Sequence, residues 1–302
     1  MPRCWMSLQK GWRPETKENA MFRGLVTGLA ALTITCAAGA RAETPLERGA
    51  YLVNGIAACG NCHTPKGPNG PIAGMEFAGG FVIEDGPFRA VAANITQDRE
   101  TGIGAWTDLQ ITDAIRNGRR PDGSIIGPPM PVELYNMMSD SDVHAIVAYL
   151  RTIRPIRNKV EKSVYHIPLR APRPALHVSE PNRADKVAYG AYLAGPLGHC
   201  IECHTPMGPK GRDFDNRLGG GGFAMSAPGG GKVITPNLTP DPDDGIGKWS
   251  DAAIKRTFTT GVRPDGSHLV PIMALAQYRN IGPADQDAIV AFLRSLKPLK
   301  GN

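Results

Sequence analysis

Four cysteines and two histidines stand in two copies of one pattern, Cys59-Gly60-Asn61-Cys62-His63 and Cys200-Ile201-Glu202-Cys203-His204, each continuing into Thr-Pro. Two thiols separated by two residues can each add across one vinyl group of a porphyrin, and the His that follows at once then faces the iron from the same side. The pattern reads as covalent haem attachment, and two copies predict two haem c groups. Cys59, Cys62, Cys200 and Cys203 would hold the rings, with His63 and His204 on the irons. A zinc site would have to gather four ligands from motifs 138 residues apart. A thioredoxin-like pair would sit in a βαβ setting that the chain lacks. Cys4 and Cys36 lie near the N-terminus, which makes a disulfide framework a poor reading of six cysteines.

The sixth position on each iron follows from an internal repeat. Arg48–Leu52 is echoed by Tyr189–Leu193 at the 141-residue offset of the two attachment motifs. Beyond these, Asn94-Ile-Thr matches Asn237-Leu-Thr, and Gly102-Ile-Gly-Ala-Trp106 matches Gly245-Ile-Gly-Lys-Trp249. Arg120-Pro-Asp-Gly123 matches Arg263-Pro-Asp-Gly266, and Ala145–Arg151 matches Ala288–Arg294, all at an offset of 143. Of the ten methionines, Met130 and Met273 are the pair at equivalent positions, 67 and 69 residues after the attached His. A loop Met often only fills a gap. Here the symmetry and the flanking Pro128, Pro129, Pro131 and Pro271 predict Met130 and Met273 as iron ligands. Met137 and Met138 fall opposite Asn280 and Ile281, while Met75, Met207 and Met225 have no counterparts. His144, His166, His177 and His199 read as surface residues. Asn94 and Asn237 read as loop formers, Asp98 and Asp241 as turn formers, and Trp106 and Trp249 as packing near the porphyrins.

Helices must hold these residues in place. Thr44-Pro45 with Leu46, Ala50 and Val53 predicts an opening helix. Leu109, Ile111, Ala114 and Ile115 predict another over 107–117, stopped by Gly118. Val143, Ile146, Val147 and Leu150 predict a third over 140–152. The Gly- and Pro-rich stretches between them show no strand-like alternation. The expected fold is therefore all-α, two tandem domains whose long loops wrap the haems. Domain 1 is expected over residues 43–154 and domain 2 over 186–302. The join at 155–185 holds Pro155, Pro168, Pro172, Pro174 and Pro181, which favour an extended connection.

Residues 1–42 are expected to form a leader. Arg23, the apolar run Leu25–Ala38 and the small-x-small end Ala40-Arg41-Ala42 read as a signal peptide cleaved after Ala42, and the polar stretch 1–20 reads as an upstream extension. The 14-residue run falls short of the roughly 20 that span a bilayer. The expected location is the periplasm, with at most peripheral membrane association at the outer face of the inner membrane. Hydrophobic content of 41% and charge of 21% are globular values. Without the leader, which carries six basic and two acidic residues, the formal charge falls from +6 to +2, so a basic nucleic-acid binder is not supported. Residues 43–158 count 10 basic against 13 acidic, and residues 159–302 count 18 against 13.

On its two attachment motifs, the paired Gly-Ile-Gly-x-Trp and Arg-Pro-Asp-Gly segments and the Met130 and Met273 loops, the chain resembles the class I c-type cytochromes. The likeness is to the tandem cytochrome c subunits of alcohol, aldehyde and gluconate dehydrogenases and some molybdenum hydroxylases. It differs from the larger members in having two haem domains where they have three and in lacking a recognisable C-terminal anchor. The resemblance implies an electron carrier with a dehydrogenase as donor and an oxidase or another cytochrome as acceptor, more a subunit than a catalyst. The alternative is a dihaem enzyme, such as a cytochrome c peroxidase or a thiosulfate-oxidising cytochrome. Such enzymes usually leave one iron open, which the matched methionines argue against. Pocket differences such as Glu202 against Asn61 would separate the two potentials.

Overall fold

Thr44 starts the first helix through its side chain. Its hydroxyl accepts the Glu47 amide at 3.2 Å while the Glu47 carboxylate accepts the Thr44 amide at 2.9 Å, a reciprocal cap that satisfies two donors left open at a helix start. The computed structural model describes residues 42–175, 177–226 and 231–301. The expected leader lies outside them apart from Ala42. From Thr44 onward the chain packs as one unit.

In the first half, helix α1 spans Pro45–Asn54 and α2 spans Cys59–His63. Helix α3, Asp108–Asn117, is capped by Thr107 with Gln110 and closed by Gly118 at φ 63°. The single turn α4 is Val132–Tyr135, and α5, Asp140–Leu150, is capped by Ser139. The second half repeats the plan. Helix α6, Lys186–Tyr192, runs into a π turn at Leu193–Leu197 and is followed by α7, Cys200–Cys203. Then come α8, Asp251–Thr260, the turn α9, Leu275–Tyr278, and α10, Pro283–Ser295.

Two helix crossings carry the core. Helix α1 lies across α5, burying Leu52, Val53, Val143, Ile146 and Val147, and α6 lies across α10 with Ala191, Ile289, Val290 and Leu293 buried. Apolar area removed from water at these crossings is the main stabilising term.

The all-α expectation is corrected. Among the described residues about 33% are helix and about 11% strand, in several small sheets. The largest sheet orders β3 (Val82–Asp85), β4 (Phe88–Val91) and β5 (Val164–Tyr165). Two-stranded ribbons pair β1 (Lys66–Gly67) with β2 (Gly70–Pro71), β6 (Met207–Gly208) with β7 (Gly211–Arg212), and β8 (Ala224–Ser226) with β9 (Lys232–Ile234). Strands of two to four residues are too short for periodicity to reveal. The Asp85-Gly86-Pro87-Phe88 corner was the local sign of a hairpin.

The Pro-rich segment after α5 lies against the first half. Asn94 Nδ2 donates to the Ile156 carbonyl at 2.8 Å, the Val91 amide donates to Ser163 Oγ at 2.9 Å, and β5 extends the sheet of β3 and β4. In the second half Asn237 Nδ2 donates likewise to the Leu299 carbonyl at 2.6 Å. Both asparagines thus fasten a returning segment. Asp98 accepts the amides of Glu100 and Thr101, and Asp241 those of Asp243 and Asp244, which makes them turn formers. Among the described residues no helix is long and apolar enough to cross a membrane.

Candidate functional site

The attachment motifs begin where the chain takes a left-handed step. Ala58 has φ 49° and His199 has φ 42°, and each leads into the short helix that carries its two thiols on one turn. All four cysteines are free and partly buried. Burial pushes Cys59 and Cys203 up to about 12, Cys200 up to about 11, and Cys62 upward as well. A redox dithiol needs the opposite shift, toward the thiolate.

Each histidine is fixed from behind. His63 Nδ1 donates to the Ala93 carbonyl at 2.7 Å, and His204 Nδ1 donates to the Pro236 carbonyl at 2.8 Å. A carbonyl can only accept, so Nδ1 bears the proton and Nε2 keeps a free lone pair. Burial lowers both histidine pKa values and so favours the neutral ring a metal ligand requires. Orientation of a ligating ring by a backbone acceptor is the usual outer support of a metal site.

A cavity of about 600 Å³ runs through both halves and is bordered by all the expected site residues: Cys59, Cys62, His63 and Met130 from the first half, and Cys200, Cys203, His204 and Met273 from the second. Met138 and Met225 reach it too. Its wall is mostly apolar, with Ile103, Ile111, Ile146 and Leu150 on one side and Ile246, Ile254, Ile289 and Leu293 on the other. Trp106 and Trp249 border it, each held by an arginine at the C-terminal end of the last helix of its half. Arg151 donates to the Trp106 carbonyl at 2.5 Å, and Arg294 donates to that of Trp249. Tyr135 Oη reaches the Ala57 carbonyl at 3.5 Å and Tyr278 Oη the Gly198 carbonyl at 3.4 Å, which ties each methionine loop to the approach to a cysteine motif.

Three residues take parts in the site that their sequence positions did not reveal. His199 is part of the cavity wall, where its ring meets that of Tyr135 edge-on at 6.1 Å, and burial lowers its pKa to about 4. Glu202 is pushed up to about 7 by burial, against the opposing pull of Arg212. Arg48 is buried beside Asp142. His144, His166 and His177 are exposed.

Residues 187–297 match the Cytochrome c family. Over 270 residues the chain is 34% identical to the fructose dehydrogenase cytochrome subunit of Gluconobacter japonicus, covering 83% of this chain and 52% of that protein. It is 30% identical over 301 residues to the cytochrome c subunit of the quinone alcohol dehydrogenase of Gluconacetobacter polyoxogenes, covering 91% and 62%. It is also 29% identical over 309 residues to a dihaem cytochrome c of Cereibacter sphaeroides, covering 93% of this chain and 100% of that protein.

The chain is a c-type cytochrome. It spans about 52% and 62% of the length of the first two relatives and the whole of the third. A c-type cytochrome of this kind carries covalently bound haem c, and the chain's own residues fit two such groups. Four free thiols, two histidines with bare Nε2 and two loop methionines all border one apolar cavity.

Proposed function

We propose that this c-type cytochrome is a dihaem electron carrier that takes single electrons from a dehydrogenase and passes them toward the respiratory chain. Cys59 and Cys62 hold the haem of domain 1 (43–154) between His63 and Met130. Cys200 and Cys203 hold that of domain 2 (186–302) between His204 and Met273. Bound haem c supplies a one-electron iron couple, and a His/Met ligand set raises its potential relative to two nitrogen ligands. The polypeptide's task is to exclude water, fix both ligands and keep reorganisation small. The observation that carries the reading is the matched pair of histidines, each fixed through Nδ1 to a carbonyl and each sharing the cavity with a loop methionine.

Relatives named as cytochrome subunits of fructose and alcohol dehydrogenases support a dehydrogenase as donor. An oxidase or another cytochrome is the proposed acceptor. The signal-like segment at 21–42 supports export to the periplasm. The test is a near-infrared spectrum of the oxidised protein. Two Met-ligated low-spin haems give the weak sulfur-to-iron band at two equivalents per chain, and replacing Met130 or Met273 removes half of it. A high-spin or ligand-accepting haem in the unaltered protein overturns the carrier in favour of a dihaem enzyme.

A further inference from the structure

The two halves meet through a reciprocal pair of tyrosine–aspartate contacts. Tyr51 on α1 donates to Asp285 Oδ2 at 2.8 Å and accepts the Gly282 amide at 3.0 Å. Tyr192 at the end of α6 donates to Asp142 Oδ2 at 2.7 Å and accepts the Ser139 amide at 3.0 Å. Tyr51 and Tyr192 are 141 positions apart, while Asp142 and Asp285, like Ser139 and Gly282, are 143 apart. These are the offsets of the repeat. The first helix of each half therefore grips the start of the last helix of the other, the self-complementary arrangement of a two-fold contact built within one chain. Each phenol is donor and acceptor at once, so its loss takes a partner from both a carboxylate and an amide.

The gripping helices, α1 and α6, lead directly into the attachment motifs. Tyr51 lies eight residues before Cys59 and Tyr192 eight before Cys200. Between them the halves touch again: a Cβ on Gly198 would stand 2.7 Å from Ile56 Cδ1, and the Tyr135 ring meets His199 one residue before Cys200. Cys203 lies within the electrostatic reach of Cys62. The two attachment segments thus face one another across one cavity, at the centre of an interface closed by the tyrosines. The clasps differ in one respect. Arg48 reaches Asp142 at 2.7 Å, whereas its repeat counterpart beside Asp285 is Tyr189.

We propose that Tyr51, Tyr192, Asp142 and Asp285 are positioning residues for electron exchange between the two haems. They hold the two attachment segments in one relation, so that an electron entering at one site passes within the chain to the other. In that step one ferrous iron is oxidised and one ferric iron is reduced; no bond forms or breaks and no proton is required. This inference rests on the dihaem carrier reading.

The test compares the full haem-loaded protein with its Tyr51→Phe/Tyr192→Phe variant, which keeps both rings. Intramolecular exchange is followed after flash reduction, and the magnetic interaction between the two ferric haems is read by pulsed electron paramagnetic resonance. The expected result is exchange slowed on the order of tenfold, as misplacement of reacting centres predicts, with a broadened haem–haem distance distribution and two full equivalents of the sulfur-to-iron band. Unchanged exchange and an unchanged distribution, in this variant and in Asp142→Asn/Asp285→Asn, overturn the positioning role while the carrier reading stands. Fewer than two Met-ligated haems in the unaltered protein overturn the carrier reading and this inference with it. Should the double variant fail to fold, Tyr51→Phe alone, which keeps the ring beneath Arg48 and leaves Tyr192 on Asp142, gives the same readouts.

Discussion

A Cβ placed on Gly49 would stand 1.9 Å from the carbonyl oxygen of Ala145, and one on Gly190 would stand 1.8 Å from that of Ala288. Helix α1 therefore crosses α5, and α6 crosses α10, backbone against backbone, and no side chain fits between them. Gly49→Ala or Gly190→Ala must push its helix pair apart, at a cost of about 1–3 kcal/mol each by the usual penalty for overpacking. Thermal unfolding followed by circular dichroism should show a lower midpoint for either variant. A midpoint at or above that of the unaltered protein would contradict the crossing.

Arg48 and Asp142, both of the first half, form a buried ion pair with side chains 8% and 2% exposed, at the point where Tyr192 of the second half reaches Asp142. Arg48→Met strands a buried carboxylate that still receives Tyr192, and removing one partner of such a pair costs about 3–5 kcal/mol. The paired change Arg48→Met/Asp142→Leu should cost less than Arg48→Met alone, since no charge is then left uncompensated. Urea titrations of both variants measure the difference.

His199 supplies a pH dependence whose sign is fixed. Burial holds its folded pKa at about 4, below the unfolded value of about 6.5, so the unfolded chain binds the extra proton between those values. The stability due to the neutral ring is present above about pH 6.5 and is lost as pH falls toward 4. Glu202, whose carboxyl lies 3.7 Å from the His199 ring and is held at about 7 by burial, contributes in the opposite sense, losing stability as pH rises from about 4.5 to 7. His199→Phe keeps an aromatic partner for Tyr135 and leaves the Glu202 contribution alone, so between about pH 4.5 and 6.5 the unfolding midpoint should fall more with rising pH, or rise less, than in the unaltered protein. An unchanged profile in the variant would remove His199 as a contributor.

Replacing Cys200 and Cys203 together by Ala should leave one covalent haem per chain, and replacing all four motif cysteines should leave none. Pyridine haemochrome absorbance per mole of protein, together with the intact mass, counts them directly. Two covalent haems surviving in the Cys200→Ala/Cys203→Ala variant would place the attachment elsewhere.

The sites were legible because their chemistry is local. Cys59 to His63 and Cys200 to His204 put ring attachment and iron ligand within five residues, and the repeat then singled out Met130 and Met273 from ten methionines. The helices were legible where apolar spacing agreed with a cap, as at Thr44, Thr107 and Ser139. The small sheets were not, because strands this short owe their pairing to the loops folding back. Asp85 and Phe88 come into register only when Gly86 and Pro87 turn the chain.

His199 shows the limit most clearly. As one polar residue beside an attachment cysteine it reads as surface, and nothing near it in sequence says that Tyr135, 64 positions away, will cover it. By itself the sequence determined the cofactor chemistry, the ligands to expect and the duplication, since each is written in residue type at short or regular spacing. The tertiary structure alone decided which nitrogen of His63 and His204 is left for a metal, through carbonyls about 30 residues away. It also decided that the two halves share one cavity and are joined through Tyr51 on Asp285 and Tyr192 on Asp142, because contacts between distant residues depend on how helices pack and not on the order of residues along them.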